Sequence, residues 1–283
     1  MISLIICSRK SDISNSLKEN IERTIGTDYE LIIIDNSKNI YSIFSAYNEG
    51  VRRSKGDILC FMHEDIIYHA DDWGIKIEKY FEDITIGLIG VCGSHFLSRA
   101  PIGWWKMAPF TSYSYIQNGT ESQEISLFKG DDDLIDAVVC DGLCLFIRSS
   151  LFDKVCFDEK NYDGFHFYDM DICMQVIQNG YRVCILKEIL LEHFSTGNMN
   201  KKRNDNLGIF YKKWNYCLPI YKGINFPQKV LDHFENLLIH NYYDDLLIDK
   251  LEKEKCNIQN SRAYKIGKVI TRYFSFFNIL IKK

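Results

Sequence analysis

Short runs that are almost wholly apolar recur along the first third of the chain, at Ile2 to Cys7, Leu31 to Ile34, Ile58 to Met62 and Leu88 to Val91. Runs of four to six such residues suit strands covered on both faces, and only a sheet with helices on each side covers them so. The intervening segments Asp12 to Ile25, Ile40 to Ser54 and Trp73 to Phe81 have helical character; in the last, Trp73, Ile77, Tyr80 and Phe81 fall on one side. Alternation of strand and helix predicts a parallel sheet built from right-handed crossovers over roughly the first 95 residues.

The rhythm breaks between His95 and Asp136, where Pro101, Pro109, the adjacent Trp104 and Trp105 and the acidic run Asp131 to Asp133 occur. A structured connection of that length is usually functional. Strands are predicted again at Ala137 to Val139 and Leu143 to Arg148, followed by a helix from Met170 to Asn179 that stops at Gly180. Further strands are expected near Val183 and Leu190, and from Asn204 onward the chain reads as helices. With 283 residues, 46% of them hydrophobic, it can bury the core of one large domain or two small ones.

A net charge of −4 supplies no basic field for nucleic-acid phosphates, so no nucleic-acid partner is expected. Of the ten cysteines, Cys7, Cys60, Cys92 and Cys184 sit within apolar runs, where a thiol behaves as a small hydrophobe. No spacing, that of Cys140 and Cys144 included, repeats as a paired zinc pattern. Reduced thiols in a cytosol are therefore expected. A first strand that begins at Ile2 leaves no room for a leader, and no run approaches the ~20 apolar residues of a membrane span. The sequon at Asn118 to Thr120 is then expected to stay unmodified.

In open parallel sheets a ligand binds beyond the carboxyl ends of the strands, which draws attention to the residues after each apolar run. They are Ser8 and Arg9 after the first, Asp35 and Asn36 after the second, and His63, Glu64 and Asp65 after the third. The first turn has no glycine, and no phosphate-cradling loop ends in Lys-Ser or Lys-Thr, which disfavours NAD and ATP enzymes. Asp35 can accept from a ribose hydroxyl or a base edge, or it can make a turn with Ser37. His63, Glu64 and Asp65 offer ligands of the kind that hold Mg2+ or Mn2+, or else form a polar turn. His193 is either a further ligand or a structural histidine. Asp169 and Asp171 fall in the first turn of a helix, where carboxylates favour the dipole, and a carboxylate fixed there also suits a general base.

Taken in order, five pieces resemble the family-two glycosyltransferases of the GT-A fold, within them the bacterial branch whose metal motif has the form His-x-Asp. They are Ile5-Ile6-Cys7-Ser8-Arg9; Leu31 to Asn36; Asn48-Glu49-Gly50 leading to Lys55-Gly56-Asp57 and Phe61 to Asp65; Asp141-Gly142 leading to Phe146-Ile147-Arg148; and Phe167 to Cys173. The resemblance covers residues 1 to 214. It implies an α/β fold with a mostly parallel central sheet flanked by helices, a catalytic domain over residues 1–220 and a helical extension over 221–283. It implies further that Ser8, Arg9, Asp35, Asn48 and Glu64 lie around a UDP-, GDP- or dTDP-sugar donor. Asp65, His193 and His63 are then ligands of Mn2+ or Mg2+, Asp169 deprotonates the acceptor, and Asp141, Trp104 and Trp105 border it. The sequence departs from the family pattern twice. His63 stands where a leading acid is usual, either as a direct ligand or as a group behind the ligands, and Tyr168 where a glutamate usually precedes the base.

The Gln-x-x-Arg-Trp motif of processive synthases is missing after Asp169, which points to transfer of a single sugar to each acceptor. The resemblance implies that this transfer goes with inversion to a glycan or lipid-linked acceptor. A sugar-nucleotide pyrophosphorylase would need a Gly-rich basic loop that Cys7 to Ser11 does not provide. A non-catalytic nucleotide- or glycan-binding module with the same fold is the alternative. At the C-terminus, Ile266, Val269, Ile270, Tyr273, Phe277 and Leu280 recur at helical spacing among Arg262, Lys265, Lys268, Arg272, Lys282 and Lys283. Such a helix can lie on the inner face of an anionic membrane, or pack on its own domain or on a second copy in a homo-oligomer.

Overall fold

The computed structural model describes residues 1–108, 110–113, 115–117, 120–121, 133–194, 201–262, 264–266 and 268. Most of the basic C-terminal stretch, much of the acidic run at Asp131, Asn118 and Gly119 of the sequon, and Ser195 to Gly197 lie outside the described residues. The chain divides into two units, Met1–Leu231 and Asp232–Lys283.

The first unit is built on a seven-stranded sheet whose order is Leu134–Ala137, Arg182–Leu186, Ile86–Gly90, Cys144–Arg148, Ile58–Met62, Ile2–Ser8, Tyr29–Asp35. Every residue of Ile58–Met62 and Ile86–Gly90 is buried, as the absence of polar side chains required. Helices Asn15–Thr24 and Ile43–Arg53 are the first two crossovers, capped by Ser14 and Ser42, whose hydroxyls accept from Leu17 and Ser45 N–H at 3.2 Å.

The sheet is mixed, and here the fold differs from an uninterrupted parallel array. Ile2–Ser8 runs parallel to Tyr29–Asp35 and Ile58–Met62, but Cys144–Arg148 enters antiparallel between Ile58–Met62 and Ile86–Gly90. Arg182–Leu186 is parallel to Ile86–Gly90, and Leu134–Ala137 closes that edge antiparallel. Local apolarity makes a strand but does not fix its neighbour, so an insertion from fifty residues downstream could not be read from the runs alone. The predominance of one direction agrees with the α/β expectation.

The segment after His95, which broke the sequence rhythm, supplies short strands to smaller sheets. Tyr115–Gln117 pairs parallel with Leu191–His193, which pairs antiparallel with Ile66–Tyr68. Thr111–Tyr113 pairs with Cys92–Ser94, and Phe96–Leu97 with Ile220–Tyr221. Asn20 ties the helix Asn15–Thr24 to this layer, donating to Tyr68 O at 2.9 Å and accepting from Tyr68 N–H at 2.8 Å.

Behind the helix Tyr168–Gln178 lies a buried polar anchor. The Asp171 carboxylate, 1% exposed, accepts from Tyr162 Oη, Trp214 Nε1, Gln175 Nε2 and Lys213 Nζ at 2.7–3.1 Å. It thereby fastens the helix Lys201–Trp214 to the sheet-covering helix. The second unit contains most of the 33-residue helix Gln228–Asn260, on which Leu246, Leu247, Ile248 and Leu251 are exposed. No helix among the described residues is long and apolar enough to cross a membrane.

Removing one partner from a buried charge pair typically costs about 3–5 kcal/mol. Asp171→Ala is expected to lose stability on that scale, read as a fall in the urea midpoint; a loss below about 1 kcal/mol would show that the anchor is dispensable.

Candidate active site

The third strand ends at Met62, and the next three residues turn the chain into Ile66–Tyr68. Leu191–His193 runs antiparallel to that short strand with His193 opposite Ile66, which carries the imidazole back over the turn. His193 is therefore the last residue of a strand rather than a residue beyond one. Its Nε2 lies 3.5 Å from Asp65 Oδ1, and His63 Nδ1 lies 3.8 Å from the same oxygen. One ligand atom from each of the three falls within 4.8 Å of the others. Side-chain exposures of 17% for His63, 13% for His193 and 35% for Asp65 leave the group open to an ion from solvent.

Two imidazoles and one carboxylate converging this way match the donor preferences of a first-row divalent transition-metal ion. Burial pushes the His63 pKa below the usual histidine range, against the charges of Asp141 and Asp65, and so favours the neutral, ligating form. The residues present thus fit a divalent cation.

Asp141-Gly142-Leu143 crosses this turn because the strand that follows pairs Cys144 with Met62, and Leu143 O accepts from His63 N–H at 3.1 Å. Opposite it begins the helix Tyr168–Gln178. Phe167, just before, holds a left-handed φ of 74°, uncommon for a bulky residue. Asp169 is not the cap of this helix. Its Oδ1 accepts from Met170 N–H at 2.8 Å and its Oδ2 from Gly142 N–H at 3.2 Å. Enclosure and the neighbouring charge of Asp141 push its carboxyl up to about 7, against the pull of those two N–H bonds.

The remaining expected residues divide into two sets. Ser8 donates to Glu64 Oε2 at 2.5 Å and Arg9 N–H to Glu64 Oε1 at 3.1 Å, so Glu64 braces the first strand end against the third. Trp104 Nε1 donates to Asp141 Oδ2 at 3.2 Å, which brings the tryptophan pair to the Asp141 loop; Trp104 is buried and Trp105 is 45% exposed. Asp35 ends the second strand opposite Ser8, and Asn48 lies on the helix Ile43–Arg53. Asp35 Oδ1 accepts from Ser37 N–H at 2.9 Å, the turn-making use of this side chain. Asn48 bonds the main chain of Phe157 in both directions, at 2.8 and 3.1 Å.

One participant escaped the sequence reading. The Tyr168 hydroxyl lies 3.2 Å from His63 Nε2 and donates to Gly142 O at 3.0 Å. Its substitution for a glutamate was visible in the sequence; its partner was not.

The α/β fold is of the GT-A type and carries a histidine–aspartate cluster at the end of its third strand. The profile of the family described as "glycosyltransferase like family" matches residues 3–213, and the chain belongs to that family. No curated protein matches by sequence. Among solved structures, GalNAc-T7 with UDP, GalNAc and Mn2+ is similar with a TM-score of 0.54 and 11% identity. The match covers 84% of this chain and 54% of that one. The mannosyltransferase PcManGT from Pyrobaculum calidifontis, in complex with GDP-Man and Mn2+, gives 0.48 and 10%, covering 96% and 84%. A197 from STIV gives 0.42 and 15%, covering 69% and 86%.

The raised Asp169 pKa has a consequence for stability. Its protonated form contributes stability that is fully present below the ordinary value of 3.8 and is lost as pH rises through about 7. In metal-free protein, Asp169→Asn should therefore gain on the wild type between pH 4 and 7, by at most about 1.4 kcal/mol for each pH unit, and hold that gain above. Urea unfolding across this range measures the difference, and a gain independent of pH would contradict the assignment.

Proposed function

We propose that the protein transfers one sugar from a nucleotide-sugar donor to a hydroxyl acceptor, with inversion, and that Asp169 is the general base. The observation that carries this reading is the placement of Asp169 and the His63–Asp65–His193 cluster on either side of the Asp141–Leu143 loop. The family membership supports sugar transfer, and the structural neighbour that contains UDP and Mn2+ supports a nucleotide-bound donor.

A divalent cation held by His63, Asp65 and His193 would supply the positive charge that a departing diphosphate needs. Asp169 takes the proton from the acceptor hydroxyl as its oxygen bonds to the anomeric carbon and the bond to the diphosphate oxygen breaks. Direct displacement requires no covalent sugar–enzyme intermediate. A carboxyl with a value near 7 is matched to proton transfer at neutral pH. Ser8 and Arg9, held by Glu64 at the adjoining strand end, border the nucleotide. Asp141 with Trp104 forms the acceptor side, where the exposed Trp105 offers an aromatic face to a sugar ring.

A glycan or lipid-linked acceptor follows from the family resemblance, as does single rather than processive transfer. The ten free thiols suit a reducing, cytoplasmic compartment.

Calorimetry with UDP is expected to show binding that strengthens with Mn2+ and is lost to EDTA, a dependence that Asp65→Ala abolishes. Equal UDP affinity in EDTA and in Mn2+ would refute the metal assignment. Asp169→Asn should keep nucleotide binding but lose transfer by about 10²-fold or more, as removal of a general base does. A folded variant with normal transfer would exclude that role.

A further inference from the structure

We propose that Tyr168 is the positioning residue of the metal cluster: its hydroxyl fixes His63 as the Nε2–H tautomer and so directs the Nδ1 lone pair towards Asp65 and a divalent cation. This rests on the metal reading above and deepens it. The argument is one of proton bookkeeping at a single oxygen. A phenol has one proton, and the Gly142 carbonyl, at 3.0 Å, can only accept it. What Tyr168 Oη then offers His63 Nε2, at 3.2 Å, is a lone pair. His63 must donate from Nε2, and a neutral imidazole that does so carries its free pair on Nδ1. That is the nitrogen 3.8 Å from Asp65 Oδ1.

The hydroxyl is enclosed, with the Tyr47 side chain as a further hydrogen-bonding neighbour. The Tyr168 ring is 3% exposed and packs edge-on against Tyr47 at 5.4 Å and Phe44 at 6.3 Å. Gly142 is what lets it approach: a Cβ there would lie 2.0 Å from Tyr168 Oη. Both departures from the family pattern, His63 and Tyr168, thus meet in one hydrogen bond. An imidazole in place of a leading acid needs a partner for its second nitrogen, and a buried phenol supplies it. Partners of this kind typically change metal affinity by about 10–100-fold.

The test uses the full chain in two states. In metal-free protein, long-range 1H–15N correlation of the imidazole nitrogens should show His63 as the Nε2–H tautomer, and Tyr168→Phe, which keeps the ring, should lose that preference. By calorimetry Tyr168→Phe should weaken Mn2+ binding at least about tenfold. Wild-type His63 found as the Nδ1–H tautomer overturns the proposal without need of a variant, should the variant not fold. Mn2+ binding indifferent to Tyr168→Phe overturns it while leaving the metal site intact. Failure of the wild type to bind Mn2+ at all would instead remove the metal reading on which it rests.

Discussion

A single peptide segment, Asp141-Gly142-Leu143, holds the two chemical centres of this protein at a fixed separation. Gly142 N–H binds the Asp169 carboxylate, Gly142 O receives the Tyr168 hydroxyl proton, and Leu143 O receives the His63 N–H. Three main-chain groups in sequence therefore fix Asp169, Tyr168 beside it and His63, the first residue of the histidine–aspartate cluster. Main-chain groups are the stiffest donors and acceptors available, and a site built on them needs no side chain to stay in register.

The antiparallel strand makes this arrangement possible. Had Cys144–Arg148 entered the sheet parallel to its neighbours, the residues before it would have emerged at the amino ends of the strands, away from the turn after Met62. Because it runs the other way, with Cys144 opposite Met62, its leading loop is delivered to the carboxyl ends where Ser8, Asp35 and His63 also emerge. The reversal breaks a uniform sheet in order to bring a loop from residue 141 to a turn at residue 63. Sheet energetics barely distinguish the two directions, so the cost is small.

What the sequence made legible follows the range of the interactions concerned. Strands such as Ile58–Met62 announced themselves because burial on both faces demands apolar residues at every position. Asp65, His193 and Asp169 were recoverable as candidates since strand ends and helix starts are where such folds bind ligands. Roles set by contact across the chain were not. Asn48 could be singled out as polar, but its commitment to the Phe157 main chain depends on a residue more than a hundred positions away. Glu64 likewise sits in the metal-motif segment, yet each of its oxygens accepts from Ser8 or Arg9. The neighbour of Cys144–Arg148 was invisible for the same reason.

The placement of charge explains why the same loop can serve both centres. Asp141 lies close enough to raise the Asp169 value and to act on His63, so its carboxylate disfavours a second negative charge at Asp169 while favouring positive charge at the cluster. It is itself oriented by Leu143 N–H at 2.9 Å and by the Trp104 indole. Protonation of Asp169 relieves this repulsion, because it removes a negative charge from the pair of neighbouring carboxylates. Electrostatic preorganisation of that kind is effective when the charged groups cannot rearrange during the reaction. The three main-chain bonds of the Asp141–Leu143 loop meet that condition, which places the rigidity of the backbone and the chemistry of the site in one physical cause.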